Sequence, residues 1–208
     1  MVVQNKIQGR RTQVERRESA RNALLASAAE LVAEQGVMQS SLAEIGMRAG
    51  YSRGLVNRHF GTKEALIDEL ATQCQENFTA EVTADPGQSG MELVCHSTDS
   101  YLAAFYNPTA FARAFLVMWG EGFPAASVRR VIEDADRRAK NGFIEFLGIG
   151  VRDGSIKAGV DEEAFAAALL GMLRGIAAIS LVAPAEFNVK RMSDQCHFFI
   201  KAALEPAN

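Results

Sequence analysis

Residues 41–64 read Ser41-Leu42-Ala43-Glu44-Ile45-Gly46-Met47-Arg48-Ala49-Gly50-Tyr51-Ser52-Arg53-Gly54-Leu55-Val56-Asn57-Arg58-His59-Phe60-Gly61-Thr62-Lys63-Glu64. The order is that of a helix, a tight turn, a second helix and the start of a third. Ser41 followed by Glu44 makes a capping box, in which each side chain satisfies a free backbone N–H of the other. Leu42, Ile45 and Ala49 then fall on one face at helical spacing. Gly50 supplies the residue that can take a positive φ where the chain reverses. Ser52 caps a second short helix, Arg53 to Phe60, whose inward face is Leu55, Val56 and Phe60. That packing turns Arg53, Asn57 and Arg58 outward, and these are the donors that base edges and phosphates accept. The spacing predicts a helix-turn-helix reader of duplex DNA.

At these positions the chain resembles the tetracycline-repressor (TetR) family of transcriptional regulators. The matching residues are Ile45, Ala49, Gly50, Ser52, Gly54, His59, Phe60, Lys63, Glu64 and Leu66, at the family's spacing. Five positions depart from the usual pattern: Ser41 stands for Thr, Gly46 for Ala, Tyr51 for a small aliphatic, Val56 for Leu and Asn57 for Tyr. The last change removes a common phosphate contact and puts an amide in its place. The resemblance is specific over about residues 17 to 70 and is one of length and helical character beyond. It implies an all-α fold, a DNA operator, a small-molecule effector and a homodimer.

Length and composition agree with that expectation. With 208 residues, 48% of them apolar, the chain can fill a small domain and a larger one. No stretch reaches the 18 or more uninterrupted apolar residues of a membrane span, and Met1 to Arg17 is polar and basic, without the apolar segment of a signal peptide. A cytoplasmic protein without membrane attachment is expected. Cys74, Cys95 and Cys196 are far apart and form no Cys-x-x-Cys pair, so buried free thiols are expected rather than disulfides or a zinc site. The net charge of −3 conceals an asymmetry, because residues 1–64 hold 10 Lys/Arg against 6 Asp/Glu, whereas residues 65–208 hold 12 against 19. The cationic end coincides with the helix-turn-helix.

The remainder reads as helix throughout, nine helices in all, with no alternating strand pattern and no internal repeat. The first runs from Thr12, again a capping box with Glu15, to a stop at Gly36. Thr62 caps a fourth, Lys63 to about Ala84, striped with Leu66, Leu70, Cys74 and Phe78 and ended by Asp85-Pro86-Gly87-Gln88-Ser89-Gly90. Five more follow at about Met91 to Tyr106, Thr109 to Gly120, Ala125 to Arg152, Asp161 to Val182 and Phe187 to Leu204. The division expected is a DNA-binding domain over residues 1–62 and an effector-binding and dimerisation domain over 63–208.

Arg53, Asn57 and Arg58 are the candidate groove-facing residues, with Asn suited to adenine and Arg to guanine. Ser41, Tyr51, Ser52, His59 and Lys63 complete the candidate DNA contacts, His59 and Lys63 chiefly by the resemblance. A histidine satisfied inside the small core is the alternative for His59. Arg10, Arg11, Arg16 and Arg17 could form a backbone or minor-groove arm or simply a solvated basic tail. For an effector pocket the candidates are His96, Tyr101, Phe105, Phe115, Trp119 and Phe143, with Ser100, Arg113 and Arg138 as further polar groups; such an aromatic stripe can equally be plain core. Its aromatic bias points to an apolar or aromatic effector. Ala168, Gly171, Gly175, Phe198 and Phe199 are the candidate dimer seam, because Asp161 to Val182 is apolar almost all round and has small residues at three- and four-residue spacing.

Two other classes compete. An all-helical enzyme would need a catalytic constellation, yet the three histidines lie far apart and neither a nucleophile elbow nor a phosphate loop is present. No cofactor or metal is expected. A DNA-binding helical dimer without an effector would carry the same helix-turn-helix.

Overall fold

The computed structural model describes residues 12–79 and 87–206. Among them are nine α-helices and no strand: α1 (Gln13–Gln39), α2 (Leu42–Arg48), α3 (Arg53–Phe60), α4 (Lys63–Thr79), α5 (Gly90–Ala103), α6 (Ala110–Glu121), α7 (Ala126–Asp153), α8 (Glu162–Val182) and α9 (Val189–Leu204), with a 3₁₀ turn at Pro184–Glu186 before α9. The expected end of α4 near Ala84, the Asp85-Pro86 break and the arm residues Arg10 and Arg11 lie outside the described residues.

Local chemistry sets the ends. Thr12 with Glu15, Ser41 with Glu44 and Ser89 with Glu92 each form a two-way capping box, and Ser52, Thr109 and Asp161 cap α3, α6 and α8 through one side-chain acceptor. The expected stop at Gly36 is a break inside α1. Gly36 has φ +84°, and the chain resumes for one short turn before Ser40, whose hydroxyl donates to the Gly36 carbonyl at 2.7 Å. A side chain at Gly36 is strained by the positive φ, and its Cβ, 2.1 Å from Glu121 Oε1, would push that carboxylate aside. The same Glu121 carboxylate accepts from the Val37 N–H at 2.7 Å, so the end of α6 is bonded to the break in α1.

Two apolar clusters fill the molecule. One joins Leu24, Ala28 and Val32 of α1, Ile45 of α2 and Val56 and Phe60 of α3 to Leu66, Leu70 and Cys74 of α4, and continues into Phe115 and Met118 of α6 and Val128, Val131 and Ile132 of α7. The helix-turn-helix therefore rests directly on the body. The second lies among α5, the other face of α6, the later part of α7, α8 and α9, and includes Leu102, Phe105, Leu147, Leu173 and Ile200. Cys74, Cys95 and Cys196 are free and buried, and burial pushes the Cys74 thiol up to about 12. That matches the expectation of buried free thiols.

A close helix crossing sits where α5 begins. A Cβ on Gly90 would lie 2.0 Å from the Gly150 nitrogen and 2.5 Å from the Phe146 carbonyl, both backbone atoms of α7 that cannot swing aside. Gly90→Ala is therefore expected to cost about 3 kcal/mol, as overpacking at a rigid contact does. For a chain of this size that corresponds to a fall of roughly 6–12 °C in Tm. A calorimetric scan checks it, and an unchanged Tm would show that the crossing is looser than this.

Candidate nucleic-acid interface and cavity

The sequence gives the head several arginines, and the fold divides them into structural and free ones. Arg48 reaches back from α2 to grip Glu34 of α1 with both terminal nitrogens at 2.7 Å, and Arg21 of α1 holds Glu69 of α4 at 2.6 Å. These pairs fix α2 and α4 against α1. Arg53, Asn57 and Arg58, by contrast, are exposed, and their side chains form no hydrogen bond or ion pair with the described residues. Their helix is anchored from beneath by Val56 and Phe60, 0% and 8% exposed, so a rigid core presents a free row of donors. Gly46 allows α2 and α3 to cross closely, because a Cβ there would stand 3.0 Å from Val56 Cγ2 and 3.1 Å from the Tyr51 carbonyl.

The other candidate contacts around this helix are partly committed. The Ser41 hydroxyl donates to Glu44 at 2.7 Å and accepts from its N–H at 3.2 Å; Ser52 accepts from the Leu55 N–H at 3.4 Å. Tyr51 is half-buried against the head core. Lys63, half-buried at the start of α4, donates to the Met38 carbonyl at 3.3 Å, which ties it to the end of α1 and leaves further ammonium protons uncommitted. His59 is half-buried beside Phe60. Its pKa is held below the ordinary histidine range, first by burial and then by Arg17, Arg21 and Arg58. Arg16 and Arg17 are exposed on the first turns of α1.

In the body, a cavity of about 370 Å³ opens between α4, α5, α7 and α8. Phe78, Tyr101, Phe143, Phe146 and Leu170 give it apolar walls, and Ser97, Glu76, Arg138 and Arg174 contribute polar groups. Of the expected pocket residues, Tyr101 and Phe143 line this cavity and His96, Phe105, Phe115 and Trp119 do not. Phe105 and Phe115 are 1% and 0% exposed, drawn into the core because an unbranched stripe of rings between helices is worth more packed than facing a void. His96 is exposed on the outer face of α5. Trp119 stands one layer back, donating from Nε1 to Asp136 Oδ2 at 3.2 Å. A smaller space of about 250 Å³ elsewhere is bordered by Phe105, Tyr106, Arg113 and Phe187.

Arg174 is the residue the sequence reading missed. It is 2% exposed, donates from Nη1 to the Tyr101 hydroxyl at 2.8 Å and from Nη2 to Asp136 Oδ1 at 2.7 Å. Its guanidinium lies 4.3 Å from the Phe115 ring centroid and 5.5 Å from that of Tyr101. Burial pushes the Tyr101 hydroxyl up against the opposing pull of Arg174, so it stays neutral. Arg138, exposed at the cavity mouth, donates to Gln75 of α4 at 2.9 Å.

Two family models match the chain. "Bacterial regulatory proteins, tetR family" covers residues 24–70, and "BetI-type transcriptional repressor, C-terminal" covers residues 96–205, more than half of the whole. The chain belongs to the TetR family.

Among curated TetR-type relatives, the HTH-type transcriptional repressor Rv3405c of Mycobacterium tuberculosis is 38% identical over 73 residues, which are 33% of this chain and 39% of that protein. BetI of Vibrio vulnificus is 21% identical over 119 residues, 55% of this chain and 60% of BetI. The matches thus span less than two thirds of these relatives. Solved structures extend the likeness of fold: Salmonella enterica GusR superposes with a TM-score of 0.77 at 22% identity, covering 96% of this chain and 99% of that one. The SmeT–triclosan complex gives 0.72 at 20% identity over 91% and 93%. Among the described residues of this TetR-family chain, no group of three or more His, Cys, Asp or Glu is placed to hold a metal ion.

Proposed function

We propose that this chain is a dimeric, ligand-responsive transcriptional repressor that is released from a near-palindromic operator by a small apolar or aromatic effector. The observation that carries the reading is the placement of α4. It starts two residues beyond the recognition helix α3, and its later turns supply Thr72, Gln75, Glu76 and Phe78 to the cavity wall. Its 17 described residues span about 25 Å at the usual rise. A second connection runs through α6, which meets the cavity's arginine at Phe115 and holds the α1 break through Glu121. An effector that favours a tilted α4 or a shifted α6 would move the two recognition helices away from the ~34–36 Å spacing of successive major grooves. It does so only to the extent that it binds the shifted state better.

The ligand complexes of relatives support an effector role for the cavity: SmeT with triclosan, and a Saccharomonospora viridis protein with choline, which superposes on this chain with a TM-score of 0.72 at 19% identity. The functional division falls at residues 62/63, although one apolar cluster crosses it. Dimerisation is assigned to α8 and α9. The helix Glu162–Val182 is the one described helix long and apolar enough to cross a membrane, yet only 39% of its apolar window is buried. Ala168, Gly171 and Gly175 are exposed along it, continued by Ile179 and Val182, with Phe198 and Phe199 at 63% and 51% exposure on α9. A second copy of the chain covering this face accounts for its composition without a membrane.

Filling the cavity separates a sensor from a DNA-binding dimer that has no effector. Leu170→Trp is expected to keep operator binding within about threefold while abolishing release by any compound that raises the wild-type Tm. Operator release that survives the substitution would place the effector elsewhere.

A further inference from the structure

Arg174 is the single charged residue of α8 beyond its first turn, and its hydrogen bonds are incomplete. Nη1 and Nη2 are used by Tyr101 and Asp136. Asp136 does not take the Nε–H: its Oδ1 accepts from Nη2 and its Oδ2 from the Trp119 Nε1–H. The Nε–H is left buried without a partner, and so is the Ser97 hydroxyl. Both residues line the cavity. Ser97 sits one helical turn before Tyr101 on the same face of α5, and Tyr101 is the residue that Arg174 holds from α8, so both unmet groups belong to the wall that α5 and α8 form together. Buried donors without acceptors are rare in folded proteins and call for an explanation.

The charge on this wall is complete, unlike the hydrogen bonding. Arg174 and Asp136 sum to zero at 2.7 Å. A ligand carboxylate would add a net negative charge to an apolar enclosure. A ligand ammonium would meet the guanidinium that already sits against the Phe115 and Tyr101 rings, where an organic cation is otherwise held. At the mouth the exposed Glu76 and Arg138 again carry opposite signs. We propose that the cavity takes an uncharged, mainly apolar molecule bearing one carbonyl-type oxygen, which accepts from the Arg174 Nε–H and the Ser97 hydroxyl. A carbonyl oxygen has two lone pairs and can take both donors. This assignment rests on the reading of the cavity as the effector site.

Four probes on one ring system test it by calorimetric titration of the full chain: 2-acetonaphthone, 2-ethylnaphthalene, 2-naphthoate and 2-naphthylmethylammonium. The ketone is expected to bind about tenfold or more tighter than each of the others, as a hydrogen bond from a charged donor allows. Ser97→Ala should reduce its advantage over ethylnaphthalene roughly three- to tenfold. Asp136→Asn leaves Arg174 without its counter-charge, and the carboxylate should then overtake the ketone, a reversal that a purely structural role for Asp136 would not produce. If Asp136→Asn does not fold, as a melting curve will show, the Ser97→Ala comparison decides. Tighter binding of the carboxylate or the ammonium to the wild type, or no advantage of the ketone over ethylnaphthalene, overturns the proposal while leaving an effector cavity in place. Failure of all four to bind overturns both.

Discussion

Replacing Arg53, Asn57 and Arg58 together with alanine is expected to lower affinity for the operator by a factor on the order of 10² to 10⁶, with no change in Tm or oligomeric state. Each base-directed donor contributes about 1–3 kcal/mol of discrimination, and tenfold in affinity is about 1.4 kcal/mol. The separation of DNA binding from stability follows from the geometry. These three side chains are exposed, and the helix that carries them is held by Val56 and Phe60 from the other side. Arg48 would be a poor choice for the same experiment, since it grips Glu34 and Glu30 and its removal would loosen α2 itself. A gel-shift titration alongside a melting curve checks the prediction. Equal specific affinity for wild type and triple variant would remove α3 from the role of reader.

Gly175→Leu is expected to leave the isolated chain folded and to split the proposed dimer. A Cβ on Gly175 or on Gly171 meets nothing within 4 Å, so the protomer does not require glycine at either position. In a helix interior, leucine is in fact the better former by several tenths of a kcal/mol or more. Any loss must then come from outside the protomer, where small residues let a second copy's helix approach and a leucine would hold it off. Sedimentation should show monomers at concentrations where the wild type is dimeric. Operator affinity should fall with it, because two half-sites one helical turn apart need two linked recognition helices. A variant that stays dimeric with full operator affinity would move the interface away from α8.

The contrast between what the sequence reveals and what it hides is physical. Helix ends were readable because caps are local: Thr12 with Glu15, Ser41 with Glu44 and the glycine break at Gly36 depend on residues a few positions apart. The outward set Arg53, Asn57 and Arg58 was readable because a short amphipathic helix has only one way to bury Val56 and Phe60. The cavity was not, since its lining depends on how α4, α5, α7 and α8 lean on one another, and periodicity carries no information on that. Aromatic content pointed to Phe105, Phe115 and Trp119, which became core or a second layer. A usable signal did exist in Arg174, the lone charge in the run from Ala164 to Val182. A buried guanidinium must have partners and a reason. Ser97 had no comparable mark, because a serine on a helix gives no hint of whether its hydroxyl is met.

The most direct trial of the proposed role is selection of duplex DNA from a random pool by the purified chain, with the Arg53/Asn57/Arg58 triple alanine variant selected in parallel. The wild type should enrich a near-palindrome whose half-site centres lie one helical turn apart, about 10–10.5 base pairs or a multiple of it, and the variant should not. Recovery of no common sequence by the wild type, or of the same sequence by both proteins, would contradict a DNA-reading role for this chain.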